Sequence, residues 1–66
     1  MKITVNGEPA DVDDACTVAD LVRTRTDERR RVAVARNSEV VPRGEWDGTR
    51  LAEGDLVEVL VPVAGG

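Results

Sequence analysis

The 66-residue chain has no histidine, tyrosine or phenylalanine, and it has one tryptophan, Trp46, and one cysteine, Cys16. Without histidine it lacks the side chain that most often acts as a general acid or base near neutral pH, so we do not expect an enzyme. With one aromatic residue, the core has to be aliphatic. A single cysteine excludes an internal disulfide and any metal site built from several cysteines, which favours a reducing compartment such as the cytoplasm.

Nine basic and thirteen acidic residues give the chain a formal net charge of −4. This sign disfavours nucleic acid as a partner and suits a basic protein. The chain has no leader peptide that we recognise, and no apolar run approaches the roughly 18 residues of a membrane-spanning helix. We therefore expect one small cytoplasmic domain that binds neither nucleic acid nor membrane.

The first part of the chain predicts a β-hairpin. Residues 2–5 alternate between polar and apolar, Asn6-Gly7 has the residue types of a type I′ turn, and residues 8–12 return. Pro9 lies in the returning strand and cannot donate a hydrogen bond to a neighbour, so this strand is expected at an edge of the sheet.

A second hairpin is predicted from residues 32–35 to residues 39–41, around the turn signal Asn37-Ser38. Pro42 marks its second strand as another outer one. Residues 56–61 form the most apolar segment and are expected at the centre of the sheet. The predicted fold is α+β: a mixed five-stranded sheet with strand order 2-1-5-3-4 and one main helix packed on one face.

The helix is predicted between the hairpins. Thr17 and Asp20 have the spacing of a capping box, and the apolar residues that follow predict a helix over residues 18–26. Residues 43–52 lack a sustained period and predict a loop with one helical turn near Trp46, which we expect in the core.

Alternation along the strands predicts which face each side chain occupies. If Glu58 faces water, Leu60 shares its face, and so does Thr4 on the first strand. These three residues form a candidate partner-docking face, joined by Ala33 and Ala35. A fully solvated face is the alternative, and the valines at positions 57, 59 and 61 are expected to point toward the helix.

Three other features suggest sites but have simpler explanations. Cys16 has no histidine to activate it, and we expect a buried packing residue rather than a nucleophile or persulfide carrier. Asp11, Asp13 and Asp14 lack the spacing of a calcium loop and are expected in solvated turns. The arginines at positions 29–31 more often mark a solvated loop than a phosphate site.

The last residues carry the strongest chemical signal. Pro62 ends the last strand of a predicted domain over residues 1–62, and residues 63–66 are expected to project as a flexible tail. Four residues span roughly 13 Å, enough to enter a cleft of another protein. Ala64 and Gly65 suit threading through a narrow channel, and the ionised carboxylate of Gly66 can attack a phosphorus atom. A frayed end is the alternative.

Six short motifs lie along the chain: Ile3-Thr4-Val5-Asn6-Gly7, Thr17-Val18-Ala19-Asp20-Leu21, Val32-Ala33-Val34 with Asn37, Val41-Pro42-Arg43 followed by Trp46, Gly54-Asp55, and Val63-Ala64-Gly65-Gly66. Together they resemble the ThiS sulfur carrier proteins of thiamine biosynthesis, which have the ubiquitin-like β-grasp fold. The resemblance covers essentially the whole chain. The fourth motif combined with the Gly-Gly end is the most discriminating, because other β-grasp carriers usually share only the end.

The resemblance implies that a ThiF-like adenylating enzyme uses ATP and Mg to convert the Gly66 carboxylate to an acyl-adenylate. A sulfur donor, a cysteine desulfurase or its equivalent, then displaces AMP. The resulting Gly66 thiocarboxylate would pass its sulfur to thiazole synthase. The carrier would bind no cofactor and catalyse nothing itself.

Three other functions stay open from the sequence. The small subunit of molybdopterin synthase uses the same terminal thiocarboxylate but remains in a stable complex with its large subunit. A ubiquitin-like modifier would be joined to lysines through Gly66. A binding module would not need its last two glycines at all.

Overall fold

The computed structural model describes residues 1–27 and 31–61. Its elements in chain order are β1 (Lys2–Val5), β2 (Glu8–Asp11), α1 (Val18–Arg25), β3 (Ala33–Arg36), β4 (Glu39–Val40), a 3-10 turn (Arg43–Glu45) and β5 (Leu56–Leu60). The expected tail, residues 63–66, lies outside the described residues, as does the boundary at Pro62. Arg29 and Arg30 of the arginine run lie outside them too.

Both hairpin turns have the same backbone conformation, which was predicted from the residue types of the first turn. The φ angles are 52° at Asn6 and 84° at Gly7, and 50° at Asn37 and 70° at Ser38. Two consecutive positive φ angles define the type I′ turn, whose twist matches that of the flanking strands. Asparagine and glycine tolerate this region, whereas Ser38 adopts it against the usual preference of a residue with a Cβ.

The five strands form one sheet in the order β2-β1-β5-β3-β4, as predicted. β1 runs parallel to β5, and β3 runs antiparallel to it. β2 and β4 lie at the edges, in agreement with the prolines in or after them. β4 has only two residues, but the Val41 N–H still donates to the Val34 carbonyl at 2.8 Å.

Helix α1 begins with the predicted capping box. The Thr17 hydroxyl accepts from the Asp20 N–H, and the Asp20 carboxylate accepts from the Thr17 N–H, each at 3.1 Å. These bonds satisfy two backbone donors that the first turn would otherwise leave unpaired. The helix ends at Arg25, one residue earlier than predicted, because Thr26 has an extended backbone with φ −164°.

The core lies between α1 and one face of the sheet. The buried side chains of the core come from α1, from strands of the sheet and from the loops between them. They are Ile3, Val5, Cys16, Val18, Ala19, Leu21, Val22, Val32, Val34, Trp46, Leu51, Val57 and Val59. Trp46 is only 1% exposed, as expected for a core residue, and its indole N–H donates to the Val41 carbonyl at 2.9 Å. The one large aromatic ring is therefore buried with its polar atom satisfied.

The end of β5 differs from the prediction. The strand stops at Leu60, and Val61 is 40% exposed instead of pointing into the core. The last register pair with β3 is Ala33 with Leu60, and pairing with β1 ends at Val57. Val61 therefore lies beyond the ends of both neighbouring strands, which leaves nothing to hold its side chain against the helix side.

In residues 1–27 and 31–61, α1 is too short and polar to cross a membrane, and no other helix there is long enough.

Candidate functional site

The sheet face opposite α1 presents an apolar surface. We call it the open face and define it by Thr4, Ala33, Ala35, Val40, Leu56, Glu58 and Leu60. The register places these side chains side by side: Thr4 pairs with Leu56, Ala35 with both Glu58 and Val40, and Ala33 with Leu60. Val40, Leu60 and Leu56 are 77%, 69% and 59% exposed. Large aliphatic side chains grouped in this way on a small domain are typical of a protein-binding surface.

The central strand places Glu58 between two shallow depressions of the open face. One, of about 420 Å³, is lined by Thr4, Asn6, Gly7, Leu56, Val57 and Glu58. The other, of about 120 Å³, is lined by Ala33, Val34, Ala35, Val40, Glu58 and Leu60. The second exists because alanine at positions 33 and 35 leaves room beside the larger side chains. Glu58 lines both, so a ligand covering either depression meets its carboxylate.

The predicted docking residues therefore share a surface. Thr4 is half-buried, whereas Glu58 and Leu60 are exposed, all on the open face. The tail residues Ala64 and Gly65, and Gly66 with its carboxylate, lie outside the described residues. In the sequence, the predicted tail at residues 63–66 comes three positions after Leu60, the last residue of β5 and a member of the open face.

Two turn asparagines hold the central strand in place by forming hydrogen bonds that a neighbouring strand would otherwise provide. The side-chain oxygen of Asn6 accepts from the Val59 N–H at 2.8 Å, and its amide donates to the Val59 carbonyl at 3.2 Å. At the other end of β5, the Asn37 side-chain oxygen accepts from the Leu56 N–H at 3.0 Å. The strand that presents Glu58 and Leu60 is thus fixed from both hairpins.

Asp55, directly before β5, is a buried carboxylate whose role was not predicted from the sequence. It accepts hydrogen bonds from Arg36 Nε and the Ala52 N–H, each at 2.7 Å, and from the Asn37 amide at 3.1 Å. Burial alone raises the pKa of Asp55, but these three hydrogen bonds outweigh it and hold that pKa below its usual value. In the sequence, the feature that indicates such a buried carboxylate is Arg36, a charged residue at the end of an otherwise apolar strand.

Cys16 is buried, as predicted, and its thiol donates weakly to the Thr17 carbonyl at 3.4 Å. Burial raises the pKa of this thiol, and the carboxylates of Asp20 and Asp13 raise it further. A nucleophilic or sulfur-carrying cysteine needs the opposite, an environment that favours the thiolate. A groove of about 380 Å³ passes beside it, lined by Asp11, Val12, Asp13, Ala15, Cys16, Asp20 and Thr24.

The acidic residues of this region have structural roles. Asp13 accepts from the Ala15 N–H at 2.8 Å, and Asp20 closes the capping box and pairs with Arg23 at 2.6 Å. Hydrogen bonds from the Thr17 backbone and hydroxyl are the main reasons that the pKa of Asp20 is lowered. Within the described ranges, no three His, Cys, Asp or Glu side chains are grouped as metal ligands.

A family model describes nearly all of this chain. The model of the ThiS family matches residues 3–66. The chain belongs to the ThiS family. A crystal structure of the thiamine biosynthesis protein ThiS from Geobacter metallireducens is 36% identical, covers 100% of both chains and superimposes with a TM-score of 0.81. This agreement confirms the ubiquitin-like β-grasp fold and the family resemblance.

Two curated ThiS-like sequences occur within longer proteins. The chain is 33% identical over 66 residues to a thiazole synthase of Paramagnetospirillum magneticum and 38% identical over 66 residues to one of Magnetococcus marinus. It spans about a fifth of the length of these relatives, 20% in each case. In both proteins, a segment similar to this ThiS chain is thus part of a polypeptide named for thiazole synthesis.

Proposed function

We propose that this chain is a sulfur carrier in thiamine biosynthesis that bears its sulfur as a thiocarboxylate on Gly66. The observation that carries the proposal is the full-length similarity to a ThiS protein of thiamine biosynthesis. The two relatives named thiazole synthase are a second connection between this chain and thiamine biosynthesis. Their names favour the thiamine pathway over the molybdopterin and protein-modifier alternatives.

The chemistry requires activation by another protein. A carboxylate is a poor acyl electrophile, so a ThiF-like adenylating enzyme would use Mg-ATP to join the Gly66 carboxylate to AMP and release pyrophosphate. The outer sulfur of a persulfide on a cysteine desulfurase or an equivalent donor would then displace AMP to form an acyl disulfide, and a second thiol would cleave its S–S bond, which leaves a disulfide and releases the Gly66 thiocarboxylate. Delivery on a tethered chain end raises the local sulfur concentration at the acceptor and avoids free sulfide.

The carrier's own residues would bind the partner protein and present Gly66 to it. The open face would dock on the partner through Thr4, Glu58 and Leu60, while Ala64 and Gly65 enter the partner's cleft and bring Gly66 to the reacting groups. We propose no catalytic residue in the carrier, which has no histidine. Buried Cys16, with its raised pKa, is a poor alternative site for the sulfur.

The proposal is tested by mass spectrometry of the intact protein. Incubation with the adenylating enzyme, Mg-ATP, a cysteine desulfurase with cysteine and a thiol reductant should replace one oxygen by sulfur at the C-terminus, whereas omission of ATP should leave the mass unchanged. Adding thiazole synthase and its other substrates should then return the carrier to its original mass. An unchanged mass with an enzyme proven active on another ThiS protein would refute the proposal.

A further inference from the structure

Asn6 and Gly7 form a pair whose chemistry the proposed function does not use. Asparagine followed by glycine is especially prone to spontaneous deamidation, because the glycine has no Cβ to shield its backbone nitrogen, the atom that attacks the asparagine side chain. Both residues are exposed. In the described part of the chain, apart from the two neighbours of Gly7, nothing lies within 4 Å of the place that a Cβ would take. The turn is therefore uncrowded and open to water.

The folded structure engages both polar atoms of the Asn6 side chain. Its oxygen accepts from the Val59 N–H at 2.8 Å, and its amide donates to the Val59 carbonyl at 3.2 Å. For the Gly7 nitrogen to bond to Cγ of Asn6, the carboxamide has to leave Val59, and both hydrogen bonds have to break. Deamidation is therefore limited to molecules in which this end of β5 has opened.

The same two hydrogen bonds complete the pairing of β1 with β5. The register pairs of these strands end at Val5 with Val57, and the Asn6 N–H donates to the Val57 carbonyl at 2.9 Å. Two residues further along β5, the carboxamide of Asn6 is the partner of the Val59 backbone. Val59 is only 3% exposed. One side chain thus takes the place of a missing strand residue beside the core.

We propose that Asn6 is a modification site, at which the chain deamidates through a succinimide with Gly7 whenever the contact with Val59 opens. The Gly7 nitrogen forms a bond to Cγ of Asn6, the Cγ–Nδ2 bond breaks, and Nδ2 leaves as ammonia with the proton from Gly7. Water then adds to either carbonyl of the cyclic imide and leaves aspartate or isoaspartate at position 6. The reaction consumes water alone and involves no oxidation or reduction.

The products no longer fit the contact with Val59. An aspartate at position 6 still accepts from the Val59 N–H, but its second oxygen faces the Val59 carbonyl without a proton to donate. Isoaspartate also lengthens the main chain of a two-residue turn, whose length sets the register of the hairpin. Each product therefore weakens the end of β5, so the hydrogen bonds that slow the reaction are also those it destroys.

The test follows the whole chain in mildly alkaline buffer, with and without denaturing urea. Peptide mass spectrometry measures the conversion of the Asn6 carboxamide to a carboxyl group, and an isoaspartyl methyltransferase identifies isoaspartate. Conversion should be at least about tenfold slower without urea, because only the open fraction reacts. Asn37-Ser38 is the internal control: its turn has the same two positive φ angles, but the Cβ of Ser38 should make it the slower site in urea.

Two variants separate protection from consequence. Val59→Ala opens the end of β5 but keeps the reacting pair, and it should raise the rate about tenfold or more in buffer and leave the rate in urea unchanged. Asn6→Asp carries one product from the start and should raise the unfolding equilibrium constant about tenfold. Its matched control is Ser38→Asp, which adds the same charge at an exposed position of the other turn, where aspartate tolerates the positive φ.

The outcomes decide each part of the proposal. Fast conversion at Asn6 in urea, slow conversion in buffer and acceleration by Val59→Ala support it. No conversion at Asn6 in urea overturns the modification site, and equal rates of the wild type with and without urea overturn protection by Val59. Equal stabilities of Asn6→Asp and Ser38→Asp overturn the structural consequence. None of these measurements involves sulfur loading, so they stand or fall separately from the proposed function.

Discussion

The Nε atom of Arg36 donates a 2.7 Å hydrogen bond to Oδ2 of Asp55 and so connects the last residue of β3 to the residue before β5. The side chain of Asp55 is only 7% exposed, whereas that of Arg36 is 31% exposed. Ala52 and Asn37 donate to the same carboxylate. One buried carboxylate therefore sets where the central strand begins, and with it the position of Glu58 and Leu60 on the open face.

We expect Asp55→Asn to lower the free energy of unfolding by about 2–4 kcal/mol, because the substitution breaks a buried charge pair and places an amide donor opposite other donors. Urea denaturation followed by the fluorescence of Trp46, the chain's only aromatic residue, measures the change. Asp47→Asn is the control, since its exposed ion pair with Arg23 is long at 3.6 Å and should matter little. Equal stabilities of the two variants would contradict the structural role of Asp55.

The stability of the protein should fall in acid because the pKa of Asp55, and that of Asp20, is lower in the folded state than the ordinary pKa of an aspartate. A lowered folded pKa contributes stability that is present above the unfolded pKa and is lost as the pH falls through the folded pKa. Unfolding free energies should therefore be flat from about pH 7 to 5.5 and decline below about pH 4.5. Asp55→Asn should show a shallower decline, and a parallel one would count against this assignment.

Local patterns were sufficient to predict most of the fold. The Asn6-Gly7 and Asn37-Ser38 turns, and the capping box of Thr17 and Asp20, depend on residues at most a few positions apart. The order of the strands followed from two prolines and one apolar segment. These features are local or compositional, so a single sequence contains them.

The interactions that connect distant segments could not be predicted in the same way. Asp55 bonds to residues 19 and 18 positions away, and Asn6 bonds to a backbone 53 positions away. Such pairs become visible only once the sheet register is known. Val61 was misplaced for a related reason, because alternation predicts a face but not where the neighbouring strands end.

Cys16→Ala should leave sulfur loading intact, because a buried thiol with a raised pKa is a weak nucleophile. Mass spectrometry should detect the same thiocarboxylate in the variant, and iodoacetamide should label wild-type Cys16 slowly until urea unfolds the chain. Removing a small buried side chain should reduce stability by only about 1 kcal/mol. Loss of loading in a variant that is still folded would instead assign the sulfur to Cys16.

Leu60→Ser should weaken binding to thiazole synthase roughly 5–30-fold, because an apolar contact at the open face is lost. Its stability should change by no more than about 0.5 kcal/mol, since Leu60 is 69% exposed in the free protein. Isothermal calorimetry and urea denaturation measure the two effects. Leu60→Met keeps the apolar area and should bind like wild type. A large loss of stability in Leu60→Ser would show that this side chain belongs to the core and not to a docking surface.

Adding one phenylalanine after Gly66 should abolish thiocarboxylate formation, because it displaces the reactive carboxylate by one residue and adds a bulky ring to the chain end that has to enter the partner's cleft. The melting temperature should not change, since the buried residues of β5 end at Val59. Trimming by a carboxypeptidase that prefers aromatic ends should restore loading in the same sample, which controls for damage to the domain. If the extended protein is loaded as fast as wild type, the sulfur is not attached to the Gly66 carboxylate, and the carrier mechanism proposed for this chain is wrong.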